Sequence, residues 1–364
     1  MIFIQRPTTQ KNIPSSWIPA IDGLRAFAVT AVILNHTQYV YGLALGNLGV
    51  ALFYAISGFL VYYVLHRDEQ VLGGVNYMYF LIRRILRIWP AYFIVIIIAY
   101  ITCNHDARAN AIFTPLLTFT LNWDMASFTG WPLSTLTPLW SISLEQQFYI
   151  VAPLIYRLLH SRYKVVLCCT IFALSNLSRI LYVMLNSAQS GNGGLYYASF
   201  SYADTFLTGM LVANWFLYDG QIGRVTQWLA FLSSVILLSM ITYLWGPLIF
   251  PPYKIYAVVP YMLLPIALAL LLISVMPMKQ LTAFSALLSI KPLVMLAKIS
   301  FSLYLVHLLV ASYYAHFGLD YYFMLLIAAT CLYIGVERPF LKLKSTAAIY
   351  NLFQRNIRHS REFF

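Results

Sequence analysis

The sequence contains few charged residues. Only 9% of its 364 residues are Asp, Glu, Lys or Arg, whereas 61% are hydrophobic; soluble domains average roughly 25% charged and 45–50% apolar residues. This deficit excludes an ordinary soluble domain and predicts a polytopic membrane protein. The four cysteines have no metal-like spacing, and the chain contains no Gly-rich phosphate loop, no dinucleotide fingerprint and no His-Glu-x-x-His pair. We therefore expect no metal and no permanently bound cofactor.

The N-terminal segment lacks a short apolar core followed by a small-residue cleavage site, so we expect no removable signal peptide. Beyond it, hydrophobic stretches recur along the chain. Because about 20 apolar residues cross the hydrocarbon core, we predict an all-α bundle of ten transmembrane helices, separated most widely at 67–87, 104–142 and 276–298. Residues 110–122 are predicted as a loop or as a re-entrant or interfacial piece. The predicted spans lie near residues 24–44, 47–66, 88–103, 143–160, 164–185, 196–218, 225–245, 256–275, 299–317 and 321–338.

The net charge of +12 is distributed unevenly between alternate loops. If the N-terminus is cytoplasmic, 19 of the 23 Lys and Arg residues fall in cytoplasmic segments, and only Arg108 and Lys254 fall in the opposite loops. This positive-inside pattern predicts that both termini are cytoplasmic. The basic balance then reflects topology and argues against nucleic-acid binding. We expect a cytoplasmic N-terminal segment (1–17), a membrane domain (18–345) and a basic cytoplasmic tail (346–364).

The first predicted span carries three ionisable residues in the segment DGLRAFAVTAVILNH. Arg25 and His36 are eleven residues apart, about three helical turns, and therefore share one helix face. Arg25 could snorkel to the interface, pair with Asp22 or bind a substrate. His36 lies about 16 Å deeper. It is either a structural, hydrogen-bonded histidine or a base that accepts the proton lost by an attacking hydroxyl.

Three further segments concentrate polar groups. RRILRIWPAY places Arg84 and Arg87 on one helix face, where they either anchor the topology or bind phosphates. LWSISLEQQFY places Glu145 close to the outer end of the fourth span, as a carboxylate favoured by the helix dipole or as a group that orients a histidine or binds an acceptor hydroxyl. SFSLYLVH ends on His307 and fits a structural polar network as well as a site.

Six motifs, in sequence order, resemble the membrane acyltransferase-3 family over about residues 18–345: DGLRAFAVTAVILNH, LFYAISGFL, RRILRIWPAY, LWSISLEQQFY, SFSLYLVH and ERPF. The resemblance implies ten core helices, a cytoplasmic acyl-CoA donor, usually acetyl-CoA, and acceptor hydroxyls on glycans or other extracytoplasmic or membrane molecules. The family's Arg-x10-His motif corresponds to Arg25 and His36, and its Arg-x-x-Arg motif corresponds to Arg84 and Arg87.

The sequence departs from the family pattern at two points. The usual paired glutamates of the fourth helix appear here as Glu145 and Gln146, which leaves one carboxylate. Many relatives carry a C-terminal hydrolase-like domain that completes the transfer, whereas this chain ends about 20 residues after its last motif. We therefore expect transfer within the membrane domain or with a separate periplasmic partner.

The resemblance implies a role for each candidate residue. We expect His36 and Glu145 to be catalytic, with His36 acting as a general base or as a transient acyl carrier. We expect Arg25, Arg84 and Arg87 to bind the donor. Supporting roles are assigned to five further residues: Asp22, Ser57, Ser141, Ser302 and His307.

The expected protein is a multi-pass O-acyltransferase of the bacterial inner (cytoplasmic) membrane. Its acceptor would be lipopolysaccharide O-antigen, an exopolysaccharide or another lipid-linked sugar, and its partners would include membrane lipid and, in one alternative, a second copy of the chain. A competing hypothesis from another class is a membrane transporter or flippase of a glycan or lipid, in which the intramembrane charges line a pathway.

Overall fold

The computed structural model describes residues 18–37, 44–102, 107–127, 135–185, 193–218, 220–248, 255–276, 282–314 and 317–344. Every regular element in these ranges is helical, which confirms the all-α prediction. Both termini lie outside the described residues, so their cytoplasmic location stays a prediction.

The helices pack into one bundle with a continuous apolar core. A π-helical turn at Tyr333–Glu337 joins the last two helices without interrupting the helical path. The α-helices are α1 Pro19–His36, α2 Leu45–Leu72, α3 Tyr77–Thr102, α4 Ala107–Leu117, α5 Leu121–Ala126, α6 Trp140–Leu159, α7 Lys164–Leu185, α8 Gly193–Tyr197, α9 Ala203–Tyr218, α10 Arg224–Leu248, α11 Val259–Val275, α12 Ala283–Leu288, α13 Lys291–Lys298, α14 Ser300–Ala311, α15 Leu319–Leu332 and α16 Arg338–Lys344.

Several of these helices are long and apolar enough to cross a membrane. Helices α13 and α14 together are also long and apolar enough to cross a membrane, but they are bent by 66° at their junction. Helix α11 is apolar but has only 17 residues. The structure therefore indicates a membrane protein, whereas the predicted count of ten spans is not confirmed. Within the described residues, five continuous helical segments are each long and apolar enough to cross a membrane: Leu45–Val71, Tyr77–Thr102, Lys164–Leu185, Arg224–Trp245 and Leu319–Leu343.

The predicted connection at 67–87 is mostly helical. Helix α2 continues to Leu72, and α3 already begins at Tyr77. A hydropathy window stops at charged residues, but a helix continues through them when their charges are partnered. Here Arg83 of α3 makes an ion pair with Asp68 of α2. Helix α2 then ends at Gly73, whose φ of 73° is a left-handed conformation that glycine adopts without strain.

Further helices lie in segments that the sequence predicted as separations between spans. Helices α12 and α13 occupy most of the described part of the predicted connection 276–298, and the ninth span is represented by the shorter α14. The bend between α13 and α14 carries Ser300 and Ser302 fully into the bundle interior, where both side chains find polar partners. The segment 110–122 lies largely in α4 and α5, so the loop alternative is wrong.

Helix α2 is the central element of the bundle, packed most extensively against α9 and α1. Its backbone approaches that of α9 very closely at a pair of glycines. A Cβ added at Gly58 would lie 2.1 Å from the Phe206 carbonyl oxygen, and one added at Gly209 would lie 2.0 Å from the Ala55 carbonyl oxygen. Small residues permit this kind of close helix contact inside membranes.

Substituting Gly209→Ala should destabilise the protein, because the new methyl group must displace α2 backbone. Overpacking of this kind typically costs about 1–3 kcal/mol. Gly335→Ala is the matched control, since it is also a helical glycine but has no heavy atom within 4 Å of an added Cβ. Thermal unfolding of the detergent-purified proteins checks this. Equal melting temperatures for the two variants would contradict the close α2–α9 contact.

Candidate active site

Five helices enclose a cavity that brings together most of the residues predicted from sequence. It lies between α1, α2, α3, α6 and α14 and has about 730 Å³ of free space, including the part open to solvent. Six of the ten predicted site residues line it: Arg25, Ser57, Arg84, Arg87, Ser141 and Glu145.

The three predicted donor-binding arginines differ in how they are partnered. Arg25 of α1 donates to Ser300 Oγ at 3.1 Å, and its Nη1 lies 3.5 Å from a carboxylate oxygen of Asp22. Arg84 of α3 is 7% exposed and packs against two aromatic rings, those of Phe80 and Tyr149.

Arg84 and Arg87 form no ion pair with any residue that the structure describes. Arg83, the neighbouring member of the sequence cluster, is already bound to Asp68 and is therefore not equivalent to them. Two guanidinium groups thus border the cavity with no described carboxylate at ion-pair distance. Their planar donor forks suit phosphate or carboxylate groups of a ligand.

Glu145 lies in the same cavity as the arginines. Its carboxylate accepts hydrogen bonds from Ser57 of α2 and from Tyr149, one turn later on α6. The structure therefore brings Glu145 into the same cavity as the three predicted donor-binding arginines. Its side chain begins in the second turn of α6 and points into the cavity that α3 also borders.

The residue after Glu145 takes no part in the cavity wall. The Oε1 atom of Gln146 accepts a hydrogen bond from the Trp89 indole at 3.2 Å, and its amide nitrogen is buried without a partner among the described residues. The departure from the paired-glutamate pattern therefore lies at the α3–α6 contact, and only Glu145 supplies a carboxylate from this motif to the cavity.

Two hydroxyl groups that line the cavity, one from α6 and one from α14, lie close together. The hydroxyls of Ser141 and Tyr304 are 2.6 Å apart, and both reach the Pro138 carbonyl oxygen, at 3.1 and 3.0 Å respectively. Tyr304 also lines the cavity. Its ring centroid lies 5.7 Å from that of His307, one turn further along the helix. Tyr304 thus connects the cavity to a pair of histidines.

His36 and His307 form this pair, with ring centroids 5.0 Å apart. His36 ends α1 and its Nδ1 atom lies 2.9 Å from the Val32 carbonyl oxygen; His307 Nδ1 lies 2.7 Å from the Tyr304 carbonyl oxygen. A carbonyl oxygen only accepts, so each Nδ1 carries the proton. Each Nε2 of a neutral ring is then a free acceptor. The Nε2 atom of His307 is buried with no partner among the described residues.

The two remaining supporting residues do not line the cavity. Asp22 pairs with Arg25, as the i, i+3 spacing indicated. Ser302 donates to Glu337 Oε2 at 2.9 Å, and both side chains are buried. Glu337 comes from the π-helical turn, a distortion that occurs frequently at functional sites.

Sequence reasoning missed Tyr149 and did not assign a role to Tyr304 or Ser300. A signal for Tyr149 was present, because it follows Glu145 by four residues and so shares its helix face. Ser300 and Tyr304 are likewise four residues apart in SFSLYLVH. The spacing within each motif therefore indicates which residues share a helix face, but it does not indicate which helices pack against that face.

Comparison with known proteins identifies the family. The family described as Acyltransferase domain, acyltransferase-3, matches residues 18–336. The O-acetyltransferases OatA of Staphylococcus aureus strains NCTC 8325 / PS 47 and COL are each 28% identical over 358 residues. The match covers 92% of this chain but only 58% of the length of OatA. No solved structure matches the chain. Because the family match covers most of its length, the chain belongs to the acyltransferase-3 family.

Proposed function

We propose that this chain is a membrane O-acyltransferase whose donor is cytoplasmic acyl-CoA and whose preferred acyl group is acetyl. The acceptor is a hydroxyl of a cell-envelope glycan such as lipopolysaccharide O-antigen or exopolysaccharide. The proposal includes ten spans with both termini cytoplasmic, in the bacterial inner membrane. Family membership supports the enzyme over the transporter alternative, and the O-acetyltransferase names of the relatives support acetyl as the group.

One observation carries the donor site: Arg84 and Arg87 border the cavity between the five helices and form no ion pair within the described chain. Coenzyme A has phosphates at one end and an acyl thioester at the end of a long pantetheine arm. In the proposed complex the phosphates lie against Arg84 and Arg87, with Arg25 nearby. The arm then lies in the cavity and directs the thioester towards Tyr304 and the histidine pair.

The transfer itself needs a group that removes the proton of the acceptor hydroxyl. As the acceptor oxygen attacks the thioester carbonyl carbon, its proton passes to Nε2 of His36. The carbon–sulfur bond then breaks and coenzyme A leaves as the thiolate, which takes up a proton. The hydrogen bond from His36 Nδ1 to Val32 supports this role, because it orients the ring and leaves Nε2 as the basic atom.

His36 as an acyl carrier is the second route, with Nε2 attacking the thioester first and the acceptor hydroxyl attacking the acyl-imidazole afterwards. Rapid mixing with acetyl-CoA in the absence of acceptor separates the two routes. The carrier route releases a burst of free thiol equal to the enzyme concentration and leaves acetyl on the protein. The general-base route gives no such burst.

Other side chains have positioning roles in this scheme. Glu145 holds the hydroxyls of Ser57 and Tyr149 and adds one negative charge to a cavity bordered by three arginines. His307 packs on His36 and limits the orientations of its ring. The acceptor is identified most directly by mass spectrometry of envelope glycans from cells with and without the gene, in which the proposed activity predicts loss of acetyl groups.

Replacing either cavity arginine should weaken donor binding. Hydrogen bonds to charged groups contribute about 1.5–3 kcal/mol each, so we expect Arg84→Gln and Arg87→Gln to raise the Kd for coenzyme A about 10- to 100-fold. Isothermal titration with the purified protein measures this. Arg67→Gln is the matched control, because Arg67 is exposed and does not line the cavity. Equal affinity in all three variants would leave Arg84 and Arg87 as topology anchors only.

Removing the proposed base should reduce turnover while leaving donor binding intact. General acid–base catalysis contributes roughly 10²- to 10⁴-fold, so kcat for acetyl transfer by His36→Gln in proteoliposomes should fall by about that factor. The Kd for coenzyme A serves as the internal control, because His36 does not line the cavity. A folded His36→Gln protein with full turnover would exclude His36 as base or carrier.

A further inference from the structure

A second cluster of chemically competent side chains lies outside the cavity. Helix α2 contributes His66 and, one turn later, Glu69; His160 follows immediately after the last residue of α6. One potential ligand atom from each residue lies within 4.8 Å of the other two. None of the three residues lines the cavity. The cluster is therefore separate from the proposed acyl-transfer site.

The local hydrogen bonds present His160 in the form that binds a metal. Its Nδ1 atom lies 2.8 Å from the Tyr156 carbonyl oxygen, so Nδ1 carries the proton and Nε2 presents its lone pair to the cluster. Metal-binding histidines are usually oriented by a bond of this kind from the second ring nitrogen to a carbonyl or carboxylate. Among the described residues, the Nε2 atom is approached by two neutral hydroxyls, of Tyr62 at 3.1 Å and Tyr218 at 3.2 Å.

The other two groups also meet neutral hydroxyls. Nδ1 of His66 lies 3.3 Å from the Tyr156 hydroxyl and 3.4 Å from that of Tyr218. The Tyr156 hydroxyl donates to Glu69 at 2.6 Å, and Glu69 forms no ion pair with any described residue. Two imidazoles and a carboxylate thus converge, and no described Lys or Arg side chain makes an ion pair with the carboxylate.

We propose that His66, Glu69 and His160 bind one divalent transition-metal ion, of which zinc suits this two-nitrogen, one-oxygen donor set. A tyrosine hydroxyl of the cluster or a water molecule completes a tetrahedral shell. Ligand atoms around tetrahedral zinc are about 3.3 Å apart, so the side chains close in from their present separation. Glu69 is only half-buried and His160 is exposed, which leaves them room to move.

The bound ion would join α2 to α6 at the ends of the two helices. Both helices also contribute residues to the cavity, Ser57 from α2 and Glu145 from α6. The site therefore has a structural role, because it fixes the relative position of α2 and α6, which form two walls of the cavity. This assignment replaces the expectation of no metal that the absence of a contiguous metal motif suggested.

Metal content of the whole protein tests the site. The chain is purified through a tag without histidine, stripped with a chelator, equilibrated with Zn²⁺, and freed of unbound metal. We expect about one ion per chain for the wild type and at least a 10-fold weaker Kd for His66→Gln and His160→Gln, because each loses a direct ligand. The double variant Cys168→Ser/Cys169→Ser is the control, because it removes the vicinal thiols and should retain the ion.

Two measurements on the wild-type protein test the site without relying on variants that could fail to fold. Zn²⁺ should raise the melting temperature of the stripped protein, since a ligand bound only to the native state stabilises it. It should also protect His66 and His160 from diethyl pyrocarbonate, read out by peptide mass spectrometry. Absence of stoichiometric binding by the wild type, or equal binding by the histidine variants, would show that the cluster is a hydrogen-bond network only.

Discussion

A guanidinium group inside a bundle of apolar helices needs a polar or anionic partner, because an ionised side chain at membrane depth costs at least about 2.5 kcal/mol. Arg179 meets this requirement through an ion pair with Asp204 at 2.6 Å, with both side chains buried. Arg83 meets it through Asp68. Arg84 packs against two aromatic rings, and neither Arg84 nor Arg87 has an ion-pair partner among the described residues. This contrast separates structural arginines from those available to an anionic ligand.

The helices around these arginines hold the rest of the site in place. Contact between the backbones of α2 and α9 at Gly58 and Gly209 fixes α2 in the centre of the bundle, and the residue before Gly58 is Ser57, which binds Glu145. Ser300, the first residue of α14 after the 66° bend, accepts a hydrogen bond from Arg25. Close packing and local helix distortion therefore both serve to place polar side chains around one cavity.

Much of this site is readable from the sequence because its residues follow helical spacing. Arg84 and Arg87 are three residues apart, and Arg25 and His36 are eleven apart, so helical spacing alone predicts that each pair shares one helix face. Six of the ten predicted site residues meet in the cavity. The all-helical class also follows from the recurring apolar stretches of about 20 residues.

Features that depend on tertiary packing were not accessible in this way. The placement of Glu145 beside the arginines depends on how α6 meets α3, which hydropathy does not encode. Helix ends at Leu72 and Tyr77 were misplaced because charged residues terminate a hydropathy window but not a helix with partnered charges. His160 stands far from His66 in the sequence, and only the packing of α2 against α6 brings them together.

The central claim is that the arginine-bordered cavity is the acyl-donor site and that it leads to His36. An experimental structure of the protein in nanodiscs with a non-hydrolysable acetyl-CoA analogue tests it most directly. The account predicts density for the analogue with its phosphates at Arg84 and Arg87 and its acyl end next to Tyr304, facing the His36–His307 pair. An analogue bound elsewhere on the bundle, with this cavity empty, would contradict it.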